Sequence, residues 1–221
     1  MGRLFNALSA MFRAVTHRYR TEWEEPLIDE PAVFICNHAG AMGPLNMSVK
    51  FPLAGKLRLW CNEGIMNRKT CPDYIRHDFW WRPESRLAPF FSAVIPPVVS
   101  LLLPPILRSA PTIPVYHDAR IIRTMRLSIR AMEAGEHMVI FPEIPDGFQS
   151  HAEEISTGWM TLCAMWYRKT GKNTRLYPVH IDYRKHVFHV CAPLVFDGSR
   201  PMEEQEKPLA DALTRGLRGE R

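Results

Sequence analysis

Six short apolar runs, most of them separated by stretches with helical spacing, constrain the fold of this chain more than any other feature. They lie at Ala32–Cys36, Leu57–Cys61, Thr112–Tyr116, His137–Phe141, Arg175–Ile181 and Val187–Cys191. Each is too short for a buried helix and reads as a strand. Between them, Asp118 to Glu133 puts Ile121, Ile122, Met125, Ile129 and Met132 on one helical face and stops before Gly135, a helix terminator. Ser156 to Lys169 places Trp159, Leu162, Cys163 and Trp166 on a common face, and Pro201 to Leu217 reads as a third, more exposed helix. Strands alternating with helical segments predict an α/β fold, a central mixed or mostly parallel sheet covered by helices. With 221 residues and 46% apolar content, the chain is long enough to bury a real core.

Two polar groups stand where buried strands run out. His38 closes Ile35-Cys36-Asn37-His38, and Glu143 closes His137 to Glu143. In open α/β sheets that edge is where ligands bind. A neutral imidazole there is a suitable general base near neutral pH. The glycine-bearing turn from Ala39 to Gly43 can present backbone N–H groups to an anion, and Gly43-Pro44 implies a helix start. Cys36, facing inward from the same strand, reads as a small core residue rather than a nucleophile.

The remaining composition narrows the setting. Five cysteines without paired spacing point to a reduced, cytosolic environment, and no metal-ligand spacing is present. A net charge of +5 suits anionic partners. No nucleic-acid signature or dense basic arm is found, which leaves a membrane surface as the better expectation. Leu4, Phe5, Leu8, Met11, Phe12 and Val15 recur at helical spacing with Arg3, Arg13, Arg18 and Arg20 around them. Residues 1–20 are therefore expected to form an amphipathic helix, lying in a membrane interface or packed on the core, with residues 21–221 forming the α/β domain. Leu87 to Leu107 carries no charge but contains Pro89, Pro96, Pro97, Pro104 and Pro105, and is expected as short helical pieces rather than one continuous helix.

Four blocks in order resemble the glycerolipid acyltransferase family, that of lysophosphatidic acid acyltransferases. They are Asn37-His38, Thr112 to Arg120, Phe141-Pro142-Glu143, and Leu176 to Val179. Gly43 stands where the family's Asn-His-x4-Asp motif has its Asp, His117 stands near the place of its Arg, and Ile144-Pro145-Asp146 intervene before Gly147. The resemblance implies transfer of a fatty acyl group to a lysophospholipid or other hydroxyl acceptor at the cytoplasmic face of a membrane, within phospholipid biosynthesis. The donor is an acyl thioester of coenzyme A or acyl carrier protein, with no separate cofactor. His38 is implied as the base and Glu143 as an acceptor contact. Asn37, Gly43, His117, Arg120, Arg123, Asp146 and Gly147 are implied in substrate binding, with Arg120 or Arg123 toward a lipid phosphate. Without the motif Asp, either Asp146, Asp118 or Glu143 orients His38, or the chain keeps the fold as an acyl- or lipid-binding protein with impaired catalysis.

Overall fold

The computed structural model describes residues 2–38, 42–77, 85–143 and 155–219. Its strands are β1 (Arg20–Trp23), β2 (Val33–Cys36), β3 (Leu57–Asn62), β4 (Thr112–Val115), β5 (His137–Ile140), β6 (Thr174–Asp182), β7 (Val187–Val190) and β8 (Leu194–Phe196). Its helices are α1 (Arg3–Val15), α2 (Met42–Lys50), α3 (Glu63–Met66), α4 (Cys71–His77), α5 (Ala88–Ser109), α6 (Ile121–Glu133), α7 (Thr161–Thr170) and α8 (Met202–Arg218). The sheet runs β1-β7-β6-β2-β5-β3-β4, with β8 paired to the start of β6. Pairing is parallel from β6 across to β4, whereas β7 and β8 run antiparallel to β6. The expected α/β sheet is therefore present, with the six expected strands in it.

Both faces of the central strands are covered, which is why they read as unbroken apolar runs instead of alternating ones. Val33, Ile35, Met138, Ile140 and Leu176 face α6, α7 and α8, where Met125, Ile129, Met132, Leu162, Trp166 and Leu213 close the layer. Phe34, Cys36, Val139, Tyr177 and Val179 face Met47 of α2 and Phe51. Phe34 stacks on Tyr177 with ring centroids 5.3 Å apart, and Phe51 meets Phe34 edge-on. The additional strands β1 and β8 carry weaker patterns. β1 is a half-exposed edge strand, Arg-Thr-Glu-Trp, and β8 has three residues.

The expectation of a broken segment at Leu87 to Leu107 is corrected. α5 is one continuous helix of 22 residues with Pro96, Pro97, Pro104 and Pro105 inside it. A proline at position i frees the carbonyl at i−4, and a helix tolerates this when another donor takes that carbonyl. The Leu101 carbonyl, freed by Pro105, accepts from the Arg68 guanidinium at 3.3 Å. Arg108 Nε donates to the Met66 carbonyl at 3.1 Å and ties the end of the same helix to α3. At its far side α5 carries α1, where the Gly2 N–H donates to the Ser109 carbonyl at 2.8 Å.

His137 pins the base of the sheet. Its Nδ1 accepts from the Ala32 N–H at 3.3 Å, just before β2 begins. Burial lowers its pKa below the ordinary histidine value, Lys56 adds to that, and Asp29 opposes it. Burial also lowers that of His38. A depressed folded pKa means that the unfolded chain binds more protons, so the stability from these neutral rings is present above about pH 6.5 and is lost as pH falls through the folded values. Denaturant unfolding between pH 7.5 and 5 should show this loss, and His137→Asn, which keeps an acceptor but cannot titrate, should flatten it. An unchanged slope would show that His137 is not protonated on unfolding.

Candidate functional site

Parallel strands end on the same edge, and β2, β3, β4 and β5 are neighbours. Their C-terminal ends therefore deliver Asn37 and His38, Asn62, Tyr116 to Asp118, and Phe141 to Glu143 to one place. There all of these but Asn37 line a pocket of 880 Å³. Its polar lining includes His38, Asn62, His117, Asp118, Glu143 and Ser156. Its apolar lining includes Leu103, Ile106 and Leu107 of α5, Phe5 of α1, and Pro44 and Leu45 of α2. A volume of this size with a lining both polar and apolar suits an amphiphile.

His38 is held by its main chain. Its N–H donates to Glu143 Oε2 at 2.5 Å, and its ring meets Phe141 edge-on, with centroids 5.3 Å apart. Burial keeps the imidazole neutral at pH values where an exposed histidine begins to protonate. Asn37 is only 1% exposed, and its side chain turns away from the pocket. The Asn37 Oδ1 accepts from the Ile181 N–H at 2.6 Å, and Nδ2 donates to the Ile181 carbonyl at 3.3 Å. This amide continues the β2–β6 ladder one residue beyond the strand and so sets where His38 emerges. Both polar atoms of its amide are thus bonded within the protein. Cys36 is fully buried, and burial together with the negative charge of Glu143 pushes its thiol pKa well up, as suits a core residue.

The carboxylates that could orient the His38 ring are engaged elsewhere. Asp118 receives Nε and Nη2 of Arg120 at 3.0 and 2.7 Å and the Arg120 N–H at 2.8 Å. Glu143 accepts the main-chain N–H of His38, not a ring nitrogen. Asp146 and Gly147 lie outside the described residues. Among the described residues no carboxylate bonds the His38 ring. Arg120 also lies over the Tyr116 ring, its guanidinium carbon 4.5 Å from the centroid, with its side chain 58% exposed. Neither Arg120 nor Arg123 lines the pocket. Arg120 is held by Asp118 instead.

Gly43, in the first turn of α2, is buried, and the room for a side chain there is taken. An added Cβ would lie 2.9 Å from Tyr183 Oη, 3.2 Å from Phe141 Cε1 and 3.4 Å from the Asn37 carbonyl. Tyr183, from the turn after β6, therefore fills the space into which a side chain at position 43 would project. Sequence reasoning missed Tyr183, and nothing local to its position signals the role. It also missed Asn62, although its place at the end of a parallel strand is the same signal that singled out His38. Asn62 Oδ1 accepts from the Gly64 N–H at 2.8 Å, which turns Nδ2 toward His117 Nε2 at 3.1 Å. His117 accepts through Nε2 and so carries its hydrogen on Nδ1.

No protein-family model matches the chain, and no curated protein sequence matches it significantly. Among solved structures, it is similar to the crystal structure of the 1-acyl-sn-glycerophosphate (LPA) acyltransferase PlsC from Thermotoga maritima. The two share 14% sequence identity over 98% of this chain and 76% of that one, with a TM-score of 0.47.

The packing at Gly43 generates a test. Gly43→Ala should lower unfolding free energy by about 1–3 kcal/mol through overpacking. In a Tyr183→Phe background, which removes the nearest atom, the same substitution should cost clearly less. Additive effects in this double-mutant cycle would mean that the hydroxyl does not occupy the space beside Gly43.

Proposed function

We propose that this protein moves a fatty acyl group from an acyl thioester of coenzyme A or acyl carrier protein to a hydroxyl acceptor at the surface of a membrane. The observation that carries the reading is His38, a desolvated imidazole in a pocket that Leu103, Ile106 and Leu107 of α5 also line. The Asn37-His38 and Phe141-Pro142-Glu143 blocks support it. In the proposed step, His38 takes the proton of the acceptor hydroxyl as its oxygen attacks the thioester carbon. The C–S bond breaks, a C–O bond forms, and the proton passes to the departing thiolate. The N–H groups in the first turn of α2 are suited to the developing oxyanion. The acyl chain would lie against Leu103, Ile106 and Leu107.

A second reading, a protein that binds acyl lipid without turning it over, is favoured by the His38 ring. It packs on Phe141 and no carboxylate among the described residues bonds it. In the serine-protease template, loss of the orienting carboxylate costs about 10⁴ in rate and leaves residual catalysis. Thiol release from a panel of acyl thioesters decides between the readings. Transfer above the uncatalysed rate, abolished in a folded His38→Ala variant, is expected. The acid limb of kcat/KM should fall below the ordinary histidine value, because burial lowers the pKa of the base. Turnover unchanged in His38→Ala would remove it from the mechanism, and no turnover with any donor would leave the binding reading.

The membrane part rests on two exposed apolar faces. α5 presents Phe90, Val98, Leu101 and Leu102 outward, while its other face lines the pocket, and α1 on its flank exposes Leu4, Met11 and Val15. It is long and apolar enough to cross a bilayer, yet its inner side is committed to protein. In the proposed arrangement it lies in the interface, so that one helix separates lipid from pocket. Leu101→Gln with Leu102→Gln should release the chain from sedimenting vesicles without lowering thermal stability. Equal vesicle binding by the variant would place the contact elsewhere.

A further inference from the structure

A second cavity, of 640 Å³, lies between α6 and α7 and takes no part in the site described above. It is lined by Arg126, Ile129 and Arg130 of α6 and by Met165, Arg168 and Lys169 of α7. Ile129 is buried and Met165 half-buried, whereas the four cations are exposed, so an apolar floor carries a basic rim. Among the described residues no carboxylate lines it, and of the four cations only Lys169 is ion-paired, to Glu133 at 2.6 Å. Arg168 Nε donates to the Ala164 carbonyl of its own helix at 3.4 Å. Arg126 and Arg130 stand at i and i+4 and repel each other, a cost that a bound polyanion would remove.

The same two elements wall both cavities in the same order. Ile121 and Met125 of α6, with Gly158 and Trp159 just ahead of α7, line the pocket that His38 also lines. One turn further along α6, about 6 Å from Met125, Ile129 lines the basic cavity. Both cavities thus lie along the seam between α6 and α7. Guanidinium forks meet phosphate oxygens bidentately, and an aromatic ring lies favourably against an apolar floor with a methionine sulfur. A cavity of this volume suits a nucleotide. We infer that this groove binds the nucleotide end of coenzyme A. Its phosphates lie on Arg126, Arg130 and Arg168 and its adenine on Ile129 and Met165, while the pantetheine arm carries the thioester toward His38. The inference rests on the acyl-transfer reading for what becomes of the thioester, but not for the binding of the nucleotide.

Two measurements on the full chain keep the two apart. In the first, calorimetry follows binding of 3′-phosphoadenosine diphosphate, the coenzyme A nucleotide without its pantetheine, thiol or acyl chain. Saturable binding that weakens as salt rises is expected. Arg126→Gln with Arg130→Gln should weaken it about tenfold or more. A charge-matched pair outside the groove, Arg184→Gln with Arg200→Gln, should change it by less than about twofold. All four positions are exposed, so thermal unfolding of both variants should match that of the unmodified chain. No saturable binding, or equal weakening by the two pairs, overturns the inference. Weaker sedimentation of the Arg126/Arg130 variant with phosphatidylglycerol vesicles, when the unmodified chain binds no nucleotide, would give the groove to an anionic membrane and overturn it as well. In the second measurement, thiol release from acyl coenzyme A by the Arg126/Arg130 variant should show KM raised about tenfold or more and kcat little changed. Release from acyl pantetheine, which has no nucleotide, should be the same with and without the substitutions. An equal rise in KM for both donors overturns the nucleotide assignment. Absence of release from every donor by the unmodified chain defeats the transfer reading, while calorimetry still decides what the groove binds.

Discussion

The parallel ladder from β4 to β2 is the constraint on which everything else here depends. Parallel strands with crossover helices must finish on one edge, so the residues that leave four neighbouring strands are brought together although up to about a hundred positions separate them in the chain. The main-chain hydrogen bonds supply position without using any side chain that chemistry needs. Asn37 extends this logic by one residue. Its amide substitutes for a strand neighbour at Ile181, so His38 leaves the sheet at a fixed angle with its own N–H aimed at Glu143. The polar groups of the pocket are thus oriented mostly by backbone.

Electrostatics then decides what this framework can hold. Desolvation depresses the pKa of His38 and so keeps it a base rather than a cation. Asp118, which lines the cavity, pairs with Arg120, which does not. The cavity lining thus combines imidazoles, carboxylates and an amide with aliphatic side chains. α5 lends Leu103, Ile106 and Leu107 to the lining, and the carbonyl that Pro105 frees in it is taken up by Arg68. Its inner face serves the pocket, so its outer face is left without protein to cover it.

The central strands were legible because burial on both faces writes itself as continuous apolar runs, and α6 was legible because its apolar spacing and Gly135 agree. β1 and β8 were not, since an edge strand of mixed polarity and a three-residue strand bury too little to leave a pattern. The continuity of α5 was misread for a different reason. Proline removes a donor locally, but whether the orphaned carbonyl is satisfied depends on an arginine 33 residues away in sequence. The partner of Arg120 was not legible either, because spacing places a guanidinium near a strand end without saying which carboxylate captures it.

The sequence by itself determined the α/β class, the strand ends at His38 and Glu143 and the amphipathic helices, because these follow from periodicity and from short-range turn chemistry. The tertiary structure decided which side chains share a cavity and with what charge. It placed Tyr183 against Gly43, turned the amide of Asn37 into a strand clasp, paired Arg120 with Asp118 and gave the Glu143 carboxylate to the His38 main chain. These are contacts between residues distant in the chain, set by strand order and register, and no local pattern encodes them.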